Sequence, residues 1–283
     1  MPFIRREITM KMIRTPIHPT ERLILRIVSV VMFVVAYLLL ANHQYNINPN
    51  NTVIPTISGF GQGFVNIFKA RGWGEEISVW KSWSFVDVTA SLERLSIALA
   101  ISVVIGVTLG ILMGCFQRIE SLFDWLLTFF CKVTPTGAMA VFFALFGTDI
   151  KMFLSVIIFG VTPTMTISIM QSIKSMPENY IHKAYTLGFS TVEVIVAVVG
   201  RYVLPSIIDT IRLTIGPAII FLIAAEGLAA SQGFGFTMRT EGKLSHVNVV
   251  LIYLCMLAGF GFFIDWLLKL TRAKLCSWLG EGK

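Results

Sequence analysis

Apolar residues in this chain come in long runs rather than in alternation, the arrangement that a bilayer solvent selects. Crossing about 30 Å of hydrocarbon takes roughly 20 residues of helix. Stretches of that size lie at approximately Leu23 to Ala41, Leu95 to Phe116, Leu122 to Phe146, Met152 to Ile173, Thr210 to Ala229 and Val247 to Leu270. The third contains Pro135 and Gly137, so an interruption is expected inside it. Between the first two lies a longer segment, 42–94, which opens NHQYNINPNNT and includes ISGFGQGFVNIF and SVWKSWSF. Trp73, Trp80 and Trp83 suit a membrane interface, where an indole is half wet and half apolar. An amphipathic helix lying on the outer surface and an ordinary loop are both open readings of this segment.

Composition turns the pattern into a class. Of 283 residues, 55% are hydrophobic and only 14% charged, against about 25% charged in a soluble domain that must keep its surface in water. The net charge of +7 does not point to nucleic acid. Its basic residues sit at the ends of apolar runs, and no dense basic patch is interleaved with aromatics. The flanks set an orientation. Arg5, Arg6, Lys11, Arg14 and Arg22 precede the first run, Arg118 follows the second, Lys174, Lys183 and Arg201 follow the fourth, and Lys269, Arg272 and Lys274 follow the sixth. Six crossings put all of these on one side, so both termini are expected in the cytoplasm. The opposite side receives Lys69, Arg71, Lys81, Arg94, Lys151, Arg239 and Lys243, several of them in the long 42–94 segment, where the rule counts less.

Little in the chain suggests catalysis. Cys115, Cys131, Cys255 and Cys276 form no CxxC pair and no cluster with histidine, and read as small packing residues. His18, His43, His182 and His246 are scattered, so no metal site is expected. There is no HExxH, no GxSxG and no P-loop GxxxxGK[ST]. The basic N-terminal stretch precedes an apolar run too long for a signal peptide and lacks an A-x-A-like site, so the first span is expected to stay in the mature protein.

The most informative polar stretch is SIKSMPENYIHKAYTLGFSTVEVIVAVVGRYVLPSIIDTIRLTIG. Pro177 suits a first helical turn with Ser175 as N-cap, and Glu178 then sits at the positive end of the helix dipole. Gly188 is placed to end that short helix, because it tolerates positive φ. A second helix should follow, kinked or ended by Pro205. A plain spacer would not need this punctuation.

This stretch resembles the cytoplasmic loop of permease subunits of ABC importers, an E-A-A then Gly pattern followed by Leu-Pro. Ala184, Thr186, Leu187, Gly188, Leu204 and Pro205 carry the match. The wider chain resembles the nitrate/sulfonate/taurine/bicarbonate branch. ASLERLSIALAISVVIGVTLGILMG is similar to its Ser-Leu-x-Arg helix leading into a Gly-rich span, FGTDIKMFLSVIIFGVTPTM to its Phe-Gly turn and following span, and IAAEGLAASQGFGF to its Ala-Glu…Ser-x-Gly-x-Gly outer turn. The resemblance covers about Asp87 to Trp278. His182 and Lys183 stand where the family pattern has Glu and Ala, and the gap from Gly188 to Leu204 is longer by about one helical turn.

The resemblance implies an all-α membrane protein of about six transmembrane helices, similar to type I ABC importer permeases, in a bacterial inner membrane. It implies a cytoplasmic segment 1–22, a first helix 23–41, an outer loop 42–94, a permease core 95–273 with a cytoplasmic coupling loop 174–205, and a tail 274–283. The expected partners are two cytoplasmic ATPase subunits holding ATP and Mg, a second permease copy (a homodimer) and an outer substrate-binding protein. This chain itself would hold no cofactor and no catalytic site. Tyr180, Ala184, Tyr185, Leu187, Gly188 and Phe189 are the expected ATPase-docking residues.

Polar residues inside spans are expensive and so are candidates for a solute path. Lys132, Thr134 and Thr136, in FFCKVTPTG, would present a cation and hydroxyls. Lys132 also reads as a residue that snorkels to the headgroups. Glu226 is a candidate more suited to bonding backbone or a neighbouring helix than to holding an anion. Ser231 and Gln232 lie in a Gly-rich turn near the outer mouth, and Phe142, Phe143 and Phe146 read most simply as packing or lipid-facing residues, with a hydrophobic gate as the sharper alternative. The expected function is ATP-driven import of a small anionic or polar solute. A secondary transporter would need further intramembrane acids and an internal repeat, an intramembrane enzyme would need a catalytic constellation, and a structural membrane subunit would work without ATPases.

Overall fold

The computed structural model describes residues 19–47, 57–67 and 83–276. Residues 1–18, 48–56, 68–82 and 277–283, with Trp73 and Trp80, lie outside the described residues. The described residues are helical with no strand, as the runs of apolar sequence predict. The chain divides into two compact units, 1–59 and 60–283.

The first unit holds α1 (Pro19–Ile47). Its apolar side chains, Met32 and Phe33 among them, stand exposed, which suits a helix whose solvent is lipid.

The second unit contains α2 (Ile57–Ile67) from Phe60 onward, α3 (Trp83–Cys115), α4 (Gln117–Lys132), α5 (Pro135–Phe146), α6 (Ile150–Lys174), α7 (Glu178–Thr186), α8 (Thr191–Ala229), α9 (Phe234–Lys243) and α10 (Val247–Leu275). At 1.5 Å per residue α3 is about 50 Å long and α8 nearly 60 Å. Both therefore outreach a bilayer core and extend beyond it.

Glycines set the central packing. Gly106, Gly110 and Gly114 recur every four residues on α3 and lie against Met165, Ile169 and Ile173 of α6. A Cβ at Gly110 would stand 2.9 Å from Ile169, and one at Gly114 2.7 Å from Ile173. The helices meet this closely only because those side chains are missing, the means by which apolar helices associate in lipid. Residue numbers rise together along the two helices, so α3 and α6 are parallel. The chain must then cross back between them, and α4 with α5 does so, bent by 98° at Val133–Thr134 before Pro135. The interruption predicted in the third apolar run is a near right angle.

The remaining helices alternate. Ser168 of α6 meets Thr210 of α8, and Gly160 lies against Phe221, so α8 is antiparallel to α6. Arg212 of α8 pairs with Asp265 of α10, and Arg272 with Asp209 at 3.4 Å, so α10 reverses again. One end of the bundle thus gathers Arg118, Lys174, Lys183, Arg201, Lys269, Arg272 and Lys274, and is called here the basic end. The opposite end gathers the starts of α3, α6 and α10 with the end of α8.

Two local expectations change. Ser175 does not cap α7: it ends α6, its hydroxyl donating to the Ser172 carbonyl, and Pro177 takes the N-cap position. Pro205 does not end its helix either. α8 runs on through Pro205 and Pro217, and its irregularity lies upstream as a π-helical turn at Val194–Val199. Val203 packs with Ile169, Ile173 and Val199, and Pro205 two residues on is itself buried; such burial among neighbouring helices lets a membrane helix keep a proline despite its missing N–H.

Candidate functional site

Three features of the second unit have the makings of a working part. The first is a buried polar cluster at the end opposite the basic one. Asp87, Ser91 and Arg94 are spaced i, i+4, i+7 on α3 and so share one face. Glu226, fully buried near the end of α8, accepts from the Ser91 hydroxyl at 2.8 Å, from Arg94 at 2.8 Å and from the Gly235 amide at 3.0 Å. Arg94 also donates to the Gln232 carbonyl at 2.9 Å and lies over the Phe153 ring, 4.6 Å from its centroid. Asp87 accepts from the Gly233 amide at 2.8 Å, the Thr237 hydroxyl at 2.6 Å and the Tyr253 hydroxyl at 2.8 Å. The Phe234 amide donates to Ser91 Oγ at 3.0 Å. Gly233 has φ +123°, and a Cβ there would stand 2.6 Å from the Glu226 carboxylate. The turn after α8 is thereby tied to α3, α9 and α10 through two carboxylates whose charge is met by one guanidinium and several donors. Buried charge is tolerable only when it is met in this way.

The second feature is a half-open groove of about 520 Å³ beside the bend between α4 and α5. Thr134 and Thr136 line it, together with Thr164 and Ser168 of α6 and Thr210 and Thr214 of α8. Ser168 Oγ and Thr210 Oγ1 are 3.1 Å apart. Gly160, Thr164 and Ser168 recur every fourth residue, as do Thr210 and Thr214, so each set lies on one helix face. A second depression of about 570 Å³ shares Thr136 and reaches Gly227, Met238 and Arg239.

The third feature is a knob at the basic end. α7 closes with a Schellman motif: the Phe189 amide donates to the Ala184 carbonyl at 3.2 Å and the Gly188 amide to Tyr185 at 3.0 Å, with Gly188 at φ +85°. The next helix starts one residue later with a capping box, in which the Ser190 amide donates to Glu193 Oε2 at 2.8 Å and the Glu193 amide to Ser190 Oγ at 3.4 Å. The turn Leu187–Ser190 therefore has both flanks hydrogen-bonded and a fixed shape. Ala184 is buried and Ile181 partly so, holding α7 to the bundle, while Tyr180, Tyr185, Leu187 and Phe189 are exposed. Leu187 is 76% exposed.

The candidates from the sequence separate accordingly. Thr134 and Thr136 lie in the groove. Lys132 is exposed in the last turn of α4, next to the lining residue Cys131. Glu226 is enclosed in the polar cluster, Gln232 meets that cluster through its carbonyl, and Ser231 is exposed in the turn. Phe142 stacks edge-on against Phe159, with ring centroids 5.5 Å apart, while Phe143 and Phe146 are exposed. The six docking candidates share the knob. Sequence reading passed over Ser91 and Arg94 as partners of Glu226, and Asp87 as the second carboxylate on their face, although the i, i+4, i+7 spacing was there to find. It also passed over the four hydroxyls of α6 and α8, whose common groove depends on which helix faces meet.

With this geometry in place, the comparison with known proteins is decisive. Residues 106–275 match the profile of the binding-protein-dependent transport system inner membrane component. The chain belongs to that family. It is an ABC transporter permease, a multi-pass inner-membrane protein. The taurine transport system permease protein TauC of Escherichia coli (strain K12) is 26% identical over 203 residues, covering 70% of this chain and 74% of the relative. A putative ABC transporter permease protein of Methanocaldococcus jannaschii is 26% identical over 92% of this chain and 93% of its own length. The bicarbonate transport system permease protein CmpB of Synechococcus elongatus is 24% identical, over 64% of this chain and 66% of the relative. Among solved structures, the inward-facing MetNI methionine ABC transporter superposes on the permease with a TM-score of 0.60 at 13% identity, covering 67% of this chain and 94% of that one. That likeness speaks for the type I importer fold.

Proposed function

We propose that this permease is the membrane-spanning subunit of an ATP-driven importer for a small anionic or polar solute of the sulfonate, taurine, nitrate or bicarbonate class. The observation that carries the coupling part of the reading is the knob at α7. Four large apolar or aromatic side chains stand exposed there, Tyr180 and Tyr185 on α7 and Leu187 and Phe189 on a turn fixed on both flanks, at the basic end that orientation rules assign to the cytoplasm. An exposed apolar cluster on a soluble-facing tip marks a protein contact. Two cytoplasmic ATPases, holding ATP and Mg, receive this tip in the proposed complex. Their closure moves α7, and α7 moves α8, which continues unbroken from the turn to the polar cluster at the far end of the bundle.

The solute path in this reading runs along the groove at the α4–α5 bend, with Thr134 and Thr136 on its wall and Lys132 beside it. Glu226, Ser231 and Gln232 act at the outer mouth, where they shape the turn after α8 rather than hold solute. A second copy of the permease closes the open side of the groove, and an outer binding protein delivers the solute. The chain itself performs no catalysis.

The reading is tested by reconstituting the permease with its ATPases and binding protein in liposomes and measuring ATP-dependent uptake of labelled taurine, nitrate and bicarbonate. Gly188→Val should insert normally yet uncouple ATP hydrolysis from uptake. Undiminished uptake by that variant would sink the docking assignment.

A further inference from the structure

The groove takes its chemistry from hydroxyls, with no carboxylate and no fixed cation among its lining residues. Thr164 donates to the Val161 carbonyl and Thr214 to the Ile211 carbonyl, so each shows the groove mainly its lone pairs. Ser168 and Thr210 share one hydrogen bond, which uses one of their two hydrogens and leaves the other free. Thr134 and Thr136, both exposed, add two hydroxyls from the α4–α5 bend. Nearby charge is uneven. Of the acids closest in sequence, Glu226 is paired with Arg94, and Asp209 faces Arg272 through Oδ2 at 3.4 Å and Arg212 through Oδ1 at 4.0 Å, the buried Oδ1 accepting no hydrogen bond among the described residues. Lys132, adjoining the lining residue Cys131, has no ion pair among the described residues.

We infer that the Ser168–Thr210 pair, with Thr134 and Thr136, forms a neutral-donor site for a singly charged oxyanion, biased toward anions by Lys132 beside the groove. The inference rests on the transport reading and adds to it the residues and the mode of selection. Neutral hydroxyls suit a site that must also release its ligand. A lysine or arginine inside the groove would hold an anion too firmly, whereas hydroxyl dipoles bind it and let it pass. Lys132 raises the local anion concentration without entering the site.

Cys131 supplies a probe that needs neither ATP nor knowledge of the solute. In the full chain, embedded in nanodiscs with Cys115, Cys255 and Cys276 replaced by alanine, Cys131 is allowed to react with two methanethiosulfonates. One carries a sulfonate and the other a trimethylammonium group, and each rate is divided by that reagent's rate with a free thiol. A cysteine-free chain bearing Thr214→Cys gives a second position, and one bearing Phe262→Cys, on the exposed face of α10, gives the lipid-facing control. The sulfonate reagent should react at least about tenfold faster than the cation at Cys131 and at Thr214→Cys, as electrostatic focusing in a cleft allows, with no such preference at Phe262→Cys. The preference at Cys131 should fall in Ser168→Ala/Thr210→Val. Equal rates, a cation preference, no labelling in the groove, or an anion preference that survives loss of both hydroxyls would each overturn the inference. Absent ATP-driven uptake would instead sink the transport reading, and the labelling rates would still be read.

Discussion

Arg94 and Glu226, separated by 132 residues in sequence, meet at 2.8 Å with the carboxylate fully buried. The guanidinium is the nearest full positive charge to that carboxylate, and Ser91 and the Gly235 amide supply its other donors. Breaking such a pair from one side leaves an uncompensated charge in a place without water, at a cost of about 3–5 kcal/mol. Arg94→Ala and Glu226→Ala should therefore each collapse the yield of monodisperse protein in detergent. Arg94→Met/Glu226→Leu, which removes both charges and keeps volume, should recover much of it. A thermal melting series by size-exclusion chromatography reads this directly. Equal loss in the double variant would show that backbone ties at Gly235 and Gln232, rather than charge, govern the site.

Gly110 and Gly114 are held to a different standard, that of space. A valine at Gly110 would push into Ile169 and Thr166, and at Gly114 into Ile173, where even a Cβ would come within 3 Å. Overpacking of this kind typically costs about 1–3 kcal/mol. Gly110→Val should lower the melting temperature in detergent, while Gly216→Val, at a glycine with nothing within 4 Å of its Cβ position, should change it far less. Matching losses at the two positions would mean that valine's helix propensity, not the α3–α6 approach, sets the effect.

How much of this could be read from the chain depends on the range of the interaction. The apolar runs are legible because a bilayer imposes length and composition on each span by itself. Gly188 was legible for the same local reason, since ending a helix with positive φ needs a glycine and nothing distant. Pro205 misleads because its cost is local but its compensation is not: it is buried in a stretch whose Val203 packs with Ile169 of α6, and α8 runs on through it. Ser175 misleads for a different, local reason, its hydroxyl bonding back to Ser172 at the end of one helix rather than forward into the next. Ser168 and Thr210 carry no signal on their own helices that they face each other, because that follows from the antiparallel register of α6 and α8.

The knob makes a prediction about surface rather than stability. Leu187 and Phe189 are exposed and contribute little to the packing of the bundle. Leu187→Asp and Phe189→Asp should leave the melting temperature of the isolated permease within the range of ordinary surface substitutions, about 0.5 kcal/mol. They should weaken co-purification of the ATPase subunits by about tenfold or more, as loss of a hot-spot contact worth about 2 kcal/mol does. Full retention of the ATPases by Leu187→Asp would move the contact away from this turn.

Gly188 separates conformation from contact, because its Cβ position is open to solvent with nothing within 4 Å. Any effect of substitution there comes from the backbone, held at φ +85° by the Schellman hydrogen bonds. Asparagine visits the left-handed region readily, alanine pays about 1–2 kcal/mol, and a β-branched residue pays more. Coupled ATPase activity should therefore fall in the order glycine, asparagine, alanine, valine, with binding of solute by the outer binding protein unchanged throughout. Valine should act by unwinding the end of α7 and displacing Leu187 and Phe189, which hydrogen exchange across 184–190 would register as lost protection of the Gly188 and Phe189 amides. If asparagine and valine prove equally damaging, the glycine serves close contact with a partner surface and the argument from φ fails.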